Sequence, residues 1–340
     1  MSRPRIALGL QGGGAYGAYG WGVLDRLLEE RVEIAAVSGA SAGALNGAAL
    51  VSGLVSGGEE GARAALATLW RETSRRSPLR GWDWGMAHGT FVEAWVDQSL
   101  AFTRMFGSYV APFFPRFRQM QSWRDSVRAS VDLGALAGQG CIPLHISATD
   151  VLTGTARLFT GTEITLDALM ASCCLPELFA AVEIEGRRYW DGGYAANPAL
   201  DPLVFGDNNG ATDLIVVQLT PFVTGEVGVL PSEVASRASD ISFNACLMRD
   251  LDRLVTLQGE ARAVGPVTPR LRAVAGLNIH LLRAPAELAD GGVSKYDTRW
   301  STLEGLRELG RETADTWLAE NGDAIGAASS LRSLETALAS

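Results

Sequence analysis

The sequence predicts an α/β fold: a central, mostly parallel sheet flanked by helices, with a helical extension at the C-terminal end. From Ile6 to Glu60 short apolar runs alternate with helical stretches, the pattern of a sheet covered by helices on its faces. Leu214-Ile215-Val216-Val217 is a continuous apolar run, as expected of a strand buried on both sides. After it the apolar spacing turns helical.

Taken in order, Ile6-Ala7-Leu8-Gly9-Leu10 reads as the first strand, and Gln11-Gly12-Gly13-Gly14-Ala15-Tyr16-Gly17 as a loop leading into a helix from Trp21 to Glu30. Ile34-Ala35-Ala36-Val37 is the second strand and runs into Gly39-Ala40-Ser41-Ala42-Gly43. Further strands are expected at Leu144 to Thr149, Arg157 to Thr160, Leu214 to Leu219 and Ile279 to Leu282. Val182 to Trp190 reads as a hairpin ending at Asp191-Gly192-Gly193. Val234, Ile241, Met248, Leu251 and Val255 recur at three- and four-residue steps or their multiples, which predicts a helix over Ser232 to Ala261. Leu303, Leu306 and Trp317 predict a last helix from Trp300 to Leu318. No linker-like run, low-complexity tract or repeat divides the chain, so residues 205–340 are expected to complete the same globule as residues 6–204.

Three motifs carry chemistry. Gly39-Ala40-Ser41-Ala42-Gly43 has the G-x-S-x-G form of a nucleophile elbow, in which a serine on a tight strand-to-helix turn projects its hydroxyl off the sheet. Gly39 and Gly43 are needed because side chains there would strike the neighbouring strand and helix. The loop Gly12-Gly13-Gly14 sits at a helix entrance, where successive backbone N–H groups form an anion-binding concavity. Asp191-Gly192-Gly193 can place a carboxylate on a tight turn, aimed into a site. Taken alone, Asp191 would read as an ordinary turn residue.

With these three motifs in this order, the chain resembles the patatin-like phospholipase family. The resemblance covers residues 6–204 and includes Ala171-Ser172-Cys173-Cys174-Leu175-Pro176 ahead of the hairpin. It implies a three-layer fold and a lipid acyl hydrolase of the phospholipase A type that uses neither metal nor cofactor. Carried over, Ser41 is the nucleophile and Asp191 the base, while Gly12, Gly13 and Gly14 form the oxyanion hole. Gly39, Gly43, Gly192 and Gly193 support the turns. One position departs: many members carry Arg or Lys two residues after the third loop glycine, where this chain has Tyr16.

A serine hydroxyl is a poor nucleophile until a base takes its proton. In a two-residue site the aspartate accepts it, which calls for a carboxylate less solvated than its free pKa of about 3.9 implies. Of the three histidines, His88, His145 and His280, only His280 follows Asp191 in the Ser, Asp, His order of α/β-hydrolases. That fold's elbow follows several strands, whereas here one strand and one helix precede the strand of Ser41. His280 is therefore expected to be structural. Asp150, Asn197 and Arg188 are further candidates to support the site.

The net charge of −9 argues against nucleic acid as a partner and offers no basic patch for anionic lipid. Four cysteines without metal spacing read as reduced, buried residues of a cytoplasmic protein. The uncharged runs Ile6 to Leu24 and Ile34 to Gly58 reach membrane-spanning length, but their clustered glycines argue against lipid-stable helices. No signal peptide is expected, because the apolar segment after Arg5 stops at the glycine loop. Phe91 to Phe117 is dense in aromatics and broken by Pro112 and Pro115; it reads as a lid over a lipid site or as ordinary core. Gly12-x-Gly14-x-x-Gly17 also fits a dinucleotide fingerprint, yet the second strand ends in the Ser41 elbow where that site needs an acidic residue. Esterases of acylglycerols or other esters, polymeric ones included, are alternative readings. So is a non-catalytic lipid-binding protein of the same fold, with transient contact at a membrane surface.

Overall fold

In the computed structural model, residues 3–30, 32–76, 116–138, 141–176, 178–225, 231–265, 267–290 and 293–338 are described. Among them eight strands form one sheet: β1 (Arg5–Leu10), β2 (Glu33–Ala40), β3 (Leu144–Asp150), β4 (Ala156–Thr160), β5 (Val182–Ile184), β6 (Arg187–Asp191), β7 (Asp213–Val217) and β8 (Asn278–Leu282). Hydrogen-bonded neighbours run β5-β6-β3-β2-β1-β7-β8, with β4 also paired to β3. The central pairs β3-β2, β2-β1, β1-β7 and β7-β8 are parallel. Pairs β3-β4, β3-β6 and β5-β6 are antiparallel.

Alternate strand residues face opposite sides, and each side is apolar. Ile6, Leu8, Val37, Ile146 and Ile215 belong to one buried cluster. It is shared with α1 (Gly17–Leu27), α2 (Ala42–Arg75), α3 (Arg116–Ser130), α4 (Leu133–Leu136) and α5 (Leu166–Ser172). Ala7, Ala36, Leu214, Val216 and Ile279 face a second cluster under α6 (Asp201–Phe205), α7 (Pro231–Val264) and α8 (Pro269–Ala275). The short helix α9 (Glu287–Asp290) precedes α10 (Trp300–Asn321), which returns to the first side with Leu303, Leu306 and Trp317 buried; α11 (Leu334–Leu338) ends the described chain. The result is three layers, helix, sheet and helix. None of the described helices is long and apolar enough to cross a membrane.

Local sequence sets the ends that matter for the site. Thr165 caps α5 by accepting the Ala168 amide, an interaction worth about 1 kcal/mol. Within α2, Gly57 and Gly58 leave helical geometry, so a kink divides the element. Asp25 of α1 is buried and accepts from Arg63 of α2 and from Arg307 and Arg311 of α10. Burial alone would raise its pKa, but these three guanidinium groups outweigh burial and hold it below the ordinary carboxylate range. They also tie the last long helix to the first two.

The long helix forms where expected, and the apolar stripe that predicted it does not keep to one environment. Val234 and Ile241 are about half exposed, while Phe243, Leu247, Leu251 and Leu254 are buried. Seven-residue steps fall short of two α-helical turns, so such a stripe drifts by about 20° per heptad and does not stay on one face. The segment Phe91 to Phe117 falls outside the described residues, apart from the backbone of its last two positions in α3.

Candidate active site

Ser41 stands where β2 turns into α2, with φ 52° and ψ −124°. This left-handed backbone is costly for a residue with a Cβ. The surrounding turn enforces it by close approach: a Cβ on Gly39 would stand 2.5 Å from the Gly43 carbonyl oxygen, and one on Gly43 would stand 2.1 Å from that of Leu10. Ser41 donates its N–H to Ser172 Oγ at 2.9 Å. Its carbonyl accepts from Ala44 and Leu45 and so starts α2.

Asp191 ends β6 and is fully buried. Its Oδ1 accepts the Gly193 amide at 2.8 Å, and its N–H donates to the Cys174 carbonyl at 2.8 Å. Thr149 Oγ1 donates to its carbonyl at 2.7 Å, and the Gly192 carbonyl accepts from Ala195 and Ala196 to close the turn.

Strand register brings these two residues together. Ala40 of β2 pairs with Ser147 of β3, and Asp191 of β6 pairs with the next residue, Ala148. Strand β4 already occupies the other edge of β3 from His145 to Thr149, so β2 and β6 share one edge end to end. The chain leaving β2 at Ser41 therefore emerges beside Asp191.

The glycine loop lies against the same point, at the carboxyl end of β1. A Cβ on Gly12 would stand 2.8 Å from Ser41 Cβ, and the Gly12 amide donates to Asn197 Oδ1 at 2.8 Å. Among the described residues no acceptor meets the amides of Gly13 or Gly14. Gln11 anchors the loop from below, accepting the Leu219 and Thr220 amides and donating to Asn244 of α7. Asn197 Nδ2 donates to the Phe243 carbonyl of α7. At the departing position, the Tyr16 hydroxyl faces the Leu288 and Val293 carbonyls. Lys295, the only lysine in the chain, accepts the Ala15 amide on its carbonyl and pairs its ammonium with Asp240. Its Nζ lies 6.0 Å from the Tyr16 ring centre, so a cation from far along the chain stands beside the loop.

The thiols after α5 border the site. Burial and the nearby Asp191 carboxylate push the Cys174 thiol up to about 12. Burial, with Asp191 and Cys174 nearby, pushes that of Cys173 well above its ordinary value.

Of the other candidates, Asn197 is at the site, and Asp150 and Arg188 bond elsewhere. Asp150 accepts the Leu152 and Thr153 amides and pairs with Arg187, while Arg188 is exposed near Glu183. His280 is fully buried in β8, with Nε2 3.0 Å from Asp213 Oδ1 and Nδ1 3.0 Å from Ser330 Oγ. Its strand is three spacings from β2, about 14 Å across the sheet. It is a hydrogen-bonded structural residue, as expected. His145 is partly buried inside the sheet, and His88 lies outside the described residues. Sequence reasoning missed Gln11, Asn244, Phe243 and Lys295, whose contacts join distant stretches of chain.

Comparison with known proteins agrees with this fold. The patatin-like phospholipase family profile matches residues 8–204, more than half of the chain, and the chain belongs to that family. The crystal structure of VipD from Legionella pneumophila is similar at 12% identity and a TM-score of 0.37, over 91% of this chain and 67% of that one. A search among curated proteins returns no match. Family membership points to a hydrolase acting on lipids.

Proposed function

We propose that the chain is a serine acyl hydrolase of the phospholipase A type, cleaving fatty acyl esters of lipids through Ser41 and Asp191. The observation that carries this reading is the shared edge of β3, which sets the Ser41 elbow beside the buried Asp191. Asp191 takes the hydroxyl proton as Ser41 Oγ attacks the ester carbonyl carbon. The amides of Gly13 and Gly14 receive the oxyanion, each such donor lowering the barrier by about 2.7–4 kcal/mol, and the N-terminus of α2 adds a favourable dipole. Gly12, whose amide is engaged by Asn197, provides the close approach to Ser41 instead. Collapse expels the alcohol with the proton from Asp191 and leaves an acyl group on Ser41. Water, deprotonated by Asp191, then releases the fatty acid.

Phospholipid is the first substrate choice, with acylglycerols and other esters as alternatives. None of the four cysteines is in a disulfide, which supports a reducing, cytoplasmic setting. Exposed Val234 and Ile241, on the helix that brings Phe243 against Gly193, support transient contact with a lipid surface.

Hydrolysis of a mixed ester panel by wild type, Asp191→Asn and His280→Ala tests the proposal. The asparagine variant should lose several orders of magnitude in turnover, since an amide cannot accept the proton, while the alanine variant keeps substantial activity. A folded but inactive His280→Ala would move the assignment to a triad.

A further inference from the structure

Helix α7 turns three anchors toward the glycine loop from one face. Asp240, Phe243 and Asn244 stand at i, i+3 and i+4, which places them on the same side of the helix. Asn244 accepts from Gln11 at the start of the loop, and the Phe243 carbonyl accepts from Asn197, which holds the Gly12 amide. Asp240 reaches the loop through Lys295, which lies on the connection between β8 and α10. The Lys295 carbonyl accepts the Ala15 amide at 2.7 Å and lies against Gly14, where a Cβ would stand 2.4 Å from its oxygen. The ammonium pairs with Asp240, and Nζ lies 6.0 Å from the Tyr16 ring centre, within cation–π range. With side chains only 19% and 13% exposed, the ion pair is weakly screened by salt. The Tyr16 hydroxyl faces the Leu288 and Val293 carbonyls of the same connection.

We propose that Lys295 is a positioning residue for the glycine loop: its ammonium, held by Asp240, fixes the carbonyl that receives the Ala15 amide and so keeps the Gly13 and Gly14 amides aimed at the oxyanion. This inference rests on the hydrolase reading above. A carbonyl on a connection between two elements is only as well placed as the contacts that tie it down. The Gly13 and Gly14 amides lie between two engaged ones, Gly12 on Asn197 and Ala15 on Lys295. Oxyanion donors act through preorganisation, so a loosened loop loses rate without losing substrate binding. Methionine at position 295 keeps an unbranched stem and removes the charge, whereas arginine keeps the charge.

The test compares full-length wild type, Lys295→Met, Lys295→Arg and Asp240→Asn on p-nitrophenyl butyrate, with melting temperatures recorded alongside. Lys295→Met should lower kcat about tenfold and Asp240→Asn severalfold, with KM within about twofold, because only the oxyanion donors are disturbed. Lys295→Arg should keep most of the wild-type kcat. Asp240→Asn conserves side-chain shape and leaves the Lys295 carbonyl in place, so it answers the question even where Lys295→Met does not fold. As a measurement that needs no hydrolysis, hydrogen–deuterium exchange of the peptide covering residues 12–18 should be faster in Asp240→Asn than in wild type. Wild-type kcat in folded Lys295→Met or in Asp240→Asn, or wild-type exchange of that peptide in Asp240→Asn, overturns the inference alone. So does a kcat that arginine leaves as low as methionine does. A wild type that hydrolyses no ester overturns the hydrolase reading, and this inference with it.

Discussion

Asn197 Oδ1 accepts the Gly12 amide at 2.8 Å across 185 positions of chain, and the same side chain donates to the Phe243 carbonyl at 3.0 Å. The glycine loop is thus fastened to α7 through one buried amide side chain. Asn197→Ala leaves a buried donor and a buried acceptor unpaired, each costing about 1–3 kcal/mol. Chemical denaturation should report that loss, and ester turnover should fall as the loop loosens. Wild-type stability together with wild-type turnover would remove the tether from the account.

Gly14 has φ +61°, and a Cβ there would stand 2.4 Å from the Lys295 carbonyl oxygen. Gly14→Val should therefore misdirect the loop amides and cost about 10²-fold in kcat, the scale of one lost oxyanion donor. Calorimetry should find no dinucleotide bound to wild type. Tight NAD binding that Gly14→Val abolishes would revive the cofactor reading of this loop.

The elbow stores backbone strain that a glycine would relieve. A non-glycine residue in a sparsely populated backbone region costs about 1–3 kcal/mol. Ser41→Gly and Ser41→Ala both lack the hydroxyl, so comparing their unfolding free energies isolates the backbone. The glycine variant should be the more stable by about 1 kcal/mol. Equal stabilities would mean that the turn is unstrained.

His280 and Asp213 form a fully buried pair. Burial raises the Asp213 pKa, but hydrogen bonds from His280, Thr212, Gly326 and Asn278 outweigh it, and the carboxyl lies below its ordinary value. A depressed carboxylate contributes stability above the unfolded pKa of about 3.9 and loses it as pH falls through the folded value. Removing the partner by His280→Ala takes one hydrogen bond from a buried carboxylate, should cost about 1–3 kcal/mol at neutral pH and should flatten this acid limb. Turnover below the variant's melting temperature should survive. An unchanged melting curve from pH 7 to pH 3 would contradict the structural role.

The fold and the Ser41 turn were legible because their signals are local. Gly39, where a Cβ would strike the Gly43 carbonyl four residues on, reports a tight turn, and the apolar run Leu214 to Val217 reports burial on both faces. What stayed hidden depends on register between distant strands. Nothing near Ser41 or Asp191 says that β2 and β6 share one edge of β3. The Gly12–Asn197 tether and the return of Lys295 to the loop are hidden for the same reason. Which side of α7 faces outward, at Val234 and Ile241, was likewise not legible, because a seven-residue stripe does not keep to one side of a long helix.

The central claim is that Ser41 is a nucleophile activated by Asp191, and intact-mass analysis after timed fluorophosphonate treatment tests it most directly. Wild type and His280→Ala should each gain one adduct, mapped to Ser41, while Ser41→Ala and folded Asp191→Asn gain none over the same interval. An adduct on Ser41→Ala, or labelling of Asp191→Asn at the wild-type rate, would contradict the account.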